Sequence, residues 1–150
     1  MELRSYSHGY GQITYHIVLV PKYRHKIFSN LDVKKDFESI LNKLCLDKGY
    51  KIHALEVMDD HVHLFLEFHP SDSLSLVIKN LKGITARELF KKHPELKKQL
   101  WSGSLWSDGK FFRSVGNVTA DTIKHYINES QHKPGASGEQ KQTSLKKYIR

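Results

Sequence analysis

The chain has 150 residues, enough for one domain with a buried core, and 24 lysines and arginines against 16 aspartates and glutamates give a net charge of +8. No apolar run approaches the ~20 residues of a membrane span, and no apolar signal segment opens the chain, so we expect a cytoplasmic protein without a membrane partner. The single cysteine, Cys45, excludes an internal disulfide and is expected to pack in the core. The basic excess favours a polyanionic partner, most simply nucleic acid.

The predicted elements begin with a strand in residues 13–24, ITYHIVLVPKYR, which is rich in β-branched and aromatic residues and is stopped by Pro21. Apolar residues at helical spacing then predict a helix from Val33 to about Asp47, with Asp32 as its N-cap and Gly49 after its last turn. The chain therefore opens with a strand followed by a helix.

A hairpin and a second helix come next. Residues 51–58 and 61–68 are predicted to be strands joined by a tight turn at Asp59-Asp60, and the apolar spacing predicts a helix over 74–91. The segment 93–110 is interpreted as a loop region that ends in an Asp-Gly turn.

The last predicted elements are a strand in KFFRSV, residues 110–115, and a helix capped by Thr119 that runs to about Gln131. Residues 133–150 are predicted to form a flexible basic tail, so a single domain is expected to span 1–132. The order strand, helix, strand, strand, helix, strand, helix predicts an α+β fold of the ferredoxin-like or RRM-like type. Helices should cover one face of its antiparallel sheet.

The segment DDHVHLFLEF carries two histidines one residue apart in an apolar strand. Because side chains alternate along a strand, the segment divides between two faces. One face is apolar and should lie beneath the helices: Val62, Leu64, Leu66 and Phe68. The other is expected to be open and holds His61, His63, Phe65 and Glu67. Imidazoles ~7 Å apart at their Cα atoms can bind one divalent ion, although a pair of solvated surface histidines is the alternative.

The last predicted helix, TADTIKHYINESQ, places Tyr126 beside an apolar stripe of Ile123 and Ile127. A tyrosine at such a boundary can be a packed aromatic ring with a solvated hydroxyl. It can also be a nucleophile toward phosphorus if a metal ion polarises the phosphate. The helix alone leaves both interpretations open.

Together these segments resemble the single-tyrosine HUH transposases of the insertion sequence 200/605 type, where HUH denotes histidine, hydrophobic residue, histidine. The resemblance covers nearly the whole chain. Four segments carry it in the same order as in the family: YHIVLVPKYRHKIF, DDHVHLFLEF, SLSLVIKNLKGITARELF and LWSDGKFFRSVGNVTADTIKHYI.

The resemblance implies a DNA transposase that cuts and rejoins single-stranded DNA at insertion-sequence ends. Tyr126 would be the nucleophile and form a 5′-phosphotyrosine link, and His61 and His63 would bind Mg²⁺ or Mn²⁺. The family's third ligand is usually a glutamine four residues after the tyrosine, where this chain has Ser130. The resemblance therefore implies Gln131 as the third metal ligand, with Glu129 as the alternative.

The resemblance also implies a partner and an assembly. Family members bind imperfect hairpins near the element's ends, and they form dimers, usually through edge-to-edge pairing of their first strands, with active sites shared between subunits. We therefore expect single-stranded DNA with subterminal hairpins as substrate and a homodimer as the active form. The candidate phosphate contacts are Lys22, Arg24, Lys26, Lys79, Lys82 and Arg87. Tyr23 could stack on an unpaired base, with packing at a strand end as the alternative.

Three other functions compete with this one. A related HUH nuclease of replication or repeat processing would use the same chemistry on another substrate. A non-catalytic RRM-like module would need exposed aromatic rings, and the histidine strand offers only Phe65. A metal-dependent hydrolase would want further ligands, for which Asp59, Asp60 and Glu67 are near in sequence, and would not need Tyr126.

Overall fold

Four antiparallel strands form the central sheet of the computed structural model, which describes residues 4–6, 9–101, 103–116 and 119–130. In chain order they are β3 (Thr14–Leu19), β4 (Lys51–Val57), β5 (Val62–Glu67) and β6 (Phe111–Ser114). A separate hairpin precedes them and consists of β1 (Arg4–Tyr6) and β2 (Gly9–Gly11). The helices are α1 (Leu31–Lys48), α2 (Leu74–Lys92), α3 (Glu95–Leu100) and α4 (Ala120–Ser130).

The strand order in the sheet is β4-β5-β3-β6, with antiparallel pairing throughout. This order places the first and third strands of the predicted pattern at the centre and confirms the ferredoxin-like α+β fold. The hairpin β1–β2 was not predicted.

The main core lies between the sheet and helices α1 and α2. The predicted apolar face of the histidine strand is confirmed, because its four residues pack in one cluster with side chains of both helices, such as Phe37 and Leu81. Cys45 belongs to the same cluster, and burial raises the pKa of its thiol to about 12. The thiol is therefore a core group, as predicted.

The ends of α1 show one confirmed signal and one error. Gly49 ends the helix in the left-handed conformation, with φ of 75°. The N-cap, however, is Asn30, whose Oδ1 accepts hydrogen bonds from the backbone N–H groups of Asp32 and Val33 at 3.0 and 3.3 Å. The prediction of Asp32 as cap was wrong because the helix begins earlier, which places this carboxylate in the first turn.

The segment 93–110 is not entirely a loop, because it contains α3. Pro94 precedes the first turn, where a missing backbone N–H costs little, and Leu96 and Leu100 are buried. Two apolar residues at i, i+4 spacing thus suffice for a short helix that lies against the core.

The central position of β3 bears on how two copies could join. β5 pairs with β3 along Thr14–Leu19, and β6 pairs with it on the other side along Tyr15–Val18. An edge-to-edge dimer through β3 would require β6 to leave it, and the assembly of two copies stays a prediction.

The proposed tail, residues 133–150, and the domain limit at 132 lie outside the described residues. Among the helices that the structure describes, none is both long and apolar enough to cross a membrane.

Candidate active site

The second face of the sheet is covered by α4 instead of being open. Ile123, Tyr126 and Ile127 pack against Phe65 and Val115. The prediction of an open face was wrong because the apolar side of α4 lies over the strand that carries the histidines. His63 is 0% and His61 7% exposed.

His61 and His63 are held as a pair, with ring centroids 4.8 Å apart and ring planes at 85°. Each ring is held by a contact at its Nδ1 atom. The Nδ1 of His61 lies 2.7 Å from Asp60 Oδ1, and the Nδ1 of His63 lies 3.0 Å from His16 Nε2. Both Nε2 atoms are buried and have no hydrogen-bond partner among the described residues. Imidazole ligands of metals show this pattern, with one nitrogen held by a partner and the other turned to the ion.

Burial keeps two of these rings neutral. Desolvation, aided by the neighbouring His61 and His16, lowers the pKa of His63 to about 3. Desolvation, aided by Arg113, lowers the pKa of His16 to about 4. A histidine must be deprotonated to bind a metal ion, so at neutral pH no proton has to be removed from His63 first.

The third ligand of such a site cannot be read from the described residues. In those ranges, no group of three or more histidine, cysteine, aspartate or glutamate side chains could hold a metal ion. Gln131 and the side chain of Glu129 lie outside the description. Two imidazoles fit a divalent ion that takes its remaining ligands from oxygen atoms, including those of a phosphate.

His16 is the residue of this site that sequence reasoning missed. Its ring stacks on Phe65 with centroids 4.5 Å apart and planes at 7°. Its centroid lies 5.3 Å from that of His63 and 6.0 Å from that of Tyr126. His16 thus connects the histidine pair to the tyrosine. Alternation along β3 could have placed His16 on this face, but the register against β5 is not visible in the sequence.

Tyr126 is partly buried at the edge of the α4 contact. Its ring centroid lies 6.3 Å from that of Phe65. The guanidinium carbon of Arg113 lies 5.0 Å from the centroid of the Tyr126 ring. Arg113 therefore makes a cation–π contact with the tyrosine. In this arrangement α4 places Tyr126 over the sheet of its own chain. The His16 ring contacts both Tyr126 and His63.

The predicted phosphate contacts have different surroundings. Lys82 is half-buried and donates hydrogen bonds to the carbonyls of Ser107 and Gly109 at 2.9 and 2.7 Å, and burial lowers its pKa. It therefore fastens the loop before β6. Lys79 lies with it along a groove of about 590 Å³ between α2 and that loop.

The other four cations are not among the residues that line this groove. Lys22 lies 3.7 Å from Asp108, Arg24 lies 3.2 Å from Asp60, and Arg87 lies 3.6 Å from Glu88. Lys26 is exposed. Contact of all six cations with DNA stays a prediction.

Comparison with known proteins places this geometry in a family. The family model described as "Transposase IS200 like" matches residues 10–130. The ISDra2 transposase TnpA of Deinococcus radiodurans is 37% identical over 121 residues, which are 81% of this chain and 85% of that protein. The transposase for insertion sequence element IS200 of Salmonella typhimurium is 34% identical over 131 residues, 85% of this chain and 86% of that protein.

Solved structures agree with the family match. A protein of Deinococcus radiodurans R1 assigned as a transposase superposes with a TM-score of 0.68 at 32% identity, covering 87% of this chain and 98% of that one. A REP-associated tyrosine transposase bound to a REP hairpin has the same fold, with a TM-score of 0.52 at 16% identity over 83% of this chain and 72% of that one. The chain belongs to the IS200-like transposase family.

Proposed function

We propose that this chain cuts and rejoins single-stranded DNA at insertion-sequence ends, with Tyr126 as the nucleophile. The observation that carries the proposal is the pair of buried Nε2 atoms on His61 and His63, which have no partner in the described part of the chain. His16 joins this pair to Tyr126 through ring contacts. The geometry supports a metal-assisted attack on a DNA phosphate better than it supports base stacking by the histidines.

The proposed reaction conserves the number of phosphoester bonds. The Tyr126 hydroxyl oxygen attacks the phosphorus and loses its proton to solvent, while the bond from phosphorus to the 3′ oxygen breaks. The part of the strand on the 3′ side of the cut stays on the tyrosine through its 5′-phosphate, and the leaving oxygen of the other part takes up a proton as a free 3′-hydroxyl. In the joining step a 3′-hydroxyl attacks the same phosphorus and Tyr126 leaves, so neither water nor a nucleotide is consumed.

His61 and His63, with Gln131 or Glu129 as the third ligand, would hold Mg²⁺ or Mn²⁺, which would polarise the phosphate and offset its developing charge. The chain's own part is to fix the two rings. With Nε2 of His63 used as a ligand, its Nδ1 carries the proton and donates to His16 Nε2. Asp60 holds His61 in the same way and adds a negative charge that makes this imidazole a stronger ligand.

The proposed substrate is a hairpin-bearing single strand. The net charge of +8 supports a polyanionic partner, and the REP-associated transposase of the same fold is itself bound to a hairpin. We also propose a homodimer in which the α4 helices can be shared. The contacts of α4 with its own sheet could be made equally by the helix of a partner.

A labelling experiment tests the proposal. Single strands from the DNA that flanks this gene would be incubated with the protein and Mg²⁺, then separated on a denaturing gel. We expect a covalent complex that retains a label at the strand's 3′ end, while the 5′-labelled fragment is released with a 3′-hydroxyl that a polymerase can extend. Cleavage without a covalent complex would show a hydrolase, and binding without cleavage an RRM-like module. A complex formed only with replication-origin or repeat DNA would show the related HUH nuclease.

The His16–His63 hydrogen bond gives a further prediction. His16→Phe keeps a ring stacked on Phe65 but removes the partner of His63 Nδ1, so we expect Mn²⁺ affinity to fall by about 10- to 100-fold. His16→Gln, whose amide can restore the hydrogen bond, should recover part of that loss. Mn²⁺ titration followed by electron paramagnetic resonance measures both. Equal affinities in all three proteins would show that His16 only fills space.

A further inference from the structure

The turn after β3 holds an aromatic ring in solvent on a backbone conformation that is rare for residues with side chains. Tyr23 has φ of 57° and ψ of 18°, and the next residue, Arg24, has φ of 53°. The tyrosine is 69% exposed, so the alternative in which it packs at the strand end is not observed. Two successive left-handed residues cost free energy, and neighbouring contacts must therefore hold them in place.

Contacts on one side clamp this turn to the loop before β6. The Lys22 N–H donates to the Leu105 carbonyl at 2.9 Å, and Pro21 forms a bridge with Trp106. The Arg24 N–H donates back to the Pro21 carbonyl at 2.9 Å. The backbone of the turn is therefore fixed independently of the tyrosine ring.

A chain of charged contacts on the other side leads from the turn to the proposed metal site. The Nη2 of Arg24 lies 3.2 Å from Oδ2 of Asp60. The second oxygen of that carboxylate, Oδ1, lies 2.7 Å from Nδ1 of His61. Arg24, the residue next to Tyr23, is thus connected to the proposed metal ligand His61 through the carboxylate of Asp60.

Cations lie on the same turn as the exposed ring. The Lys22 ammonium lies 5.9 Å from the ring centroid, and Arg24 and Lys26 are exposed on the same turn. Single-stranded DNA is bound where aromatic rings stack on unpaired bases beside cations that contact the backbone. The turn combines both features next to the site where a DNA phosphate would react.

We propose that Tyr23 is a stacking platform for one unpaired base of the DNA strand whose phosphate reaches His61 and His63. This inference rests on the proposed function for the identity of the strand. The stacking itself can be measured without any cleavage. The platform would fix the direction in which the strand approaches the metal site, because the Arg24–Asp60–His61 contacts hold the turn at a set position.

The test uses single-stranded oligonucleotides that carry the fluorescent base 2-aminopurine at successive positions, with protein in a Tyr126→Phe background. We expect fluorescence to be quenched at one position. Tyr23→Ala should remove that quenching and weaken binding roughly 5- to 150-fold, whereas Tyr23→Phe should keep both. Because no charge is removed, the salt dependence of binding should be unchanged.

Trp101→Ala is the matched control. Trp101 is also aromatic, 88% exposed and left-handed, with φ of 55°, but lies after α3 instead of in the basic turn. This variant should leave the quenching intact. Quenching that survives in Tyr23→Ala, or that Trp101→Ala removes equally, would overturn the inference.

An abasic site at the quenched position provides a second measurement that leaves the protein unaltered. It should weaken binding as much as Tyr23→Ala does. The abasic site and Tyr23→Ala together should weaken binding no further than either change alone. Additive losses would contradict stacking between the two groups. If no covalent complex forms but the quenching is present, only the catalytic proposal fails. If the complex forms and Tyr23→Ala binds normally, only the stacking inference fails.

Discussion

Replacement of Tyr126 by phenylalanine is expected to abolish strand cleavage and the covalent protein–DNA complex, a loss on the order of 10⁴-fold or more. Phenylalanine keeps the ring that contacts Phe65, His16 and the Arg113 guanidinium. It removes only the oxygen that would attack phosphorus. DNA binding, measured by fluorescence anisotropy, should therefore stay close to that of the unaltered protein while the denaturing gel shows no complex.

Tyr15→Phe is the control for this variant. Tyr15 lies on β3 but stacks on Phe68, on the side of the sheet that faces α1 and α2. Loss of its hydroxyl should leave cleavage unchanged. A covalent complex that persists in Tyr126→Phe would assign the nucleophile to another of the seven tyrosines.

Replacement of His63 by alanine is expected to remove both metal binding and much of the stability. The side chain is fully buried, so its loss leaves a cavity and takes away the hydrogen-bond partner of His16 Nε2. We expect the free energy of unfolding to fall by about 2–5 kcal/mol. Mn²⁺ titration and denaturant unfolding measure the two effects.

His63→Asn separates metal binding from folding. The asparagine amide can take the place of Nδ1 beside His16 but does not reach as far as Nε2, so stability should recover in part while Mn²⁺ binding and cleavage should not. His69→Ala, which removes an exposed histidine just beyond β5, should change neither. Undiminished Mn²⁺ binding by His63→Asn would mean that this histidine is not a ligand and would favour the RRM-like module.

Strand alternation explains why much of this fold could be predicted from the sequence. Val62, Leu64 and Leu66 are apolar at every second position, and the period of two fixes which side of β5 faces the helices. The same alternation places His61 and His63 on the opposite face. The alternating order of strands and helices then leaves few topologies other than the ferredoxin-like one.

The site could be predicted less completely, because its contacts join residues far apart in the chain. The His16–His63 hydrogen bond depends on the register between β3 and β5, and the Arg24–Asp60 ion pair depends on where the turn after β3 lies. The covering of the histidine face by α4 depends on how the last helix packs. An amphipathic helix shows that it has an apolar side, but not which surface that side meets.

Because α4 is only partly buried, exchanging this helix between two copies of the chain would cost little free energy. Ile123, Tyr126 and Ile127 are each only partly buried, and they contact the sheet at Phe65 and Val115. Seating the helix on a second copy would replace these contacts with the same ones, so the balance between the two arrangements would depend on chain entropy and protein concentration. A low protein concentration would then favour helices that lie on their own sheet, and a high protein concentration would favour their reciprocal exchange.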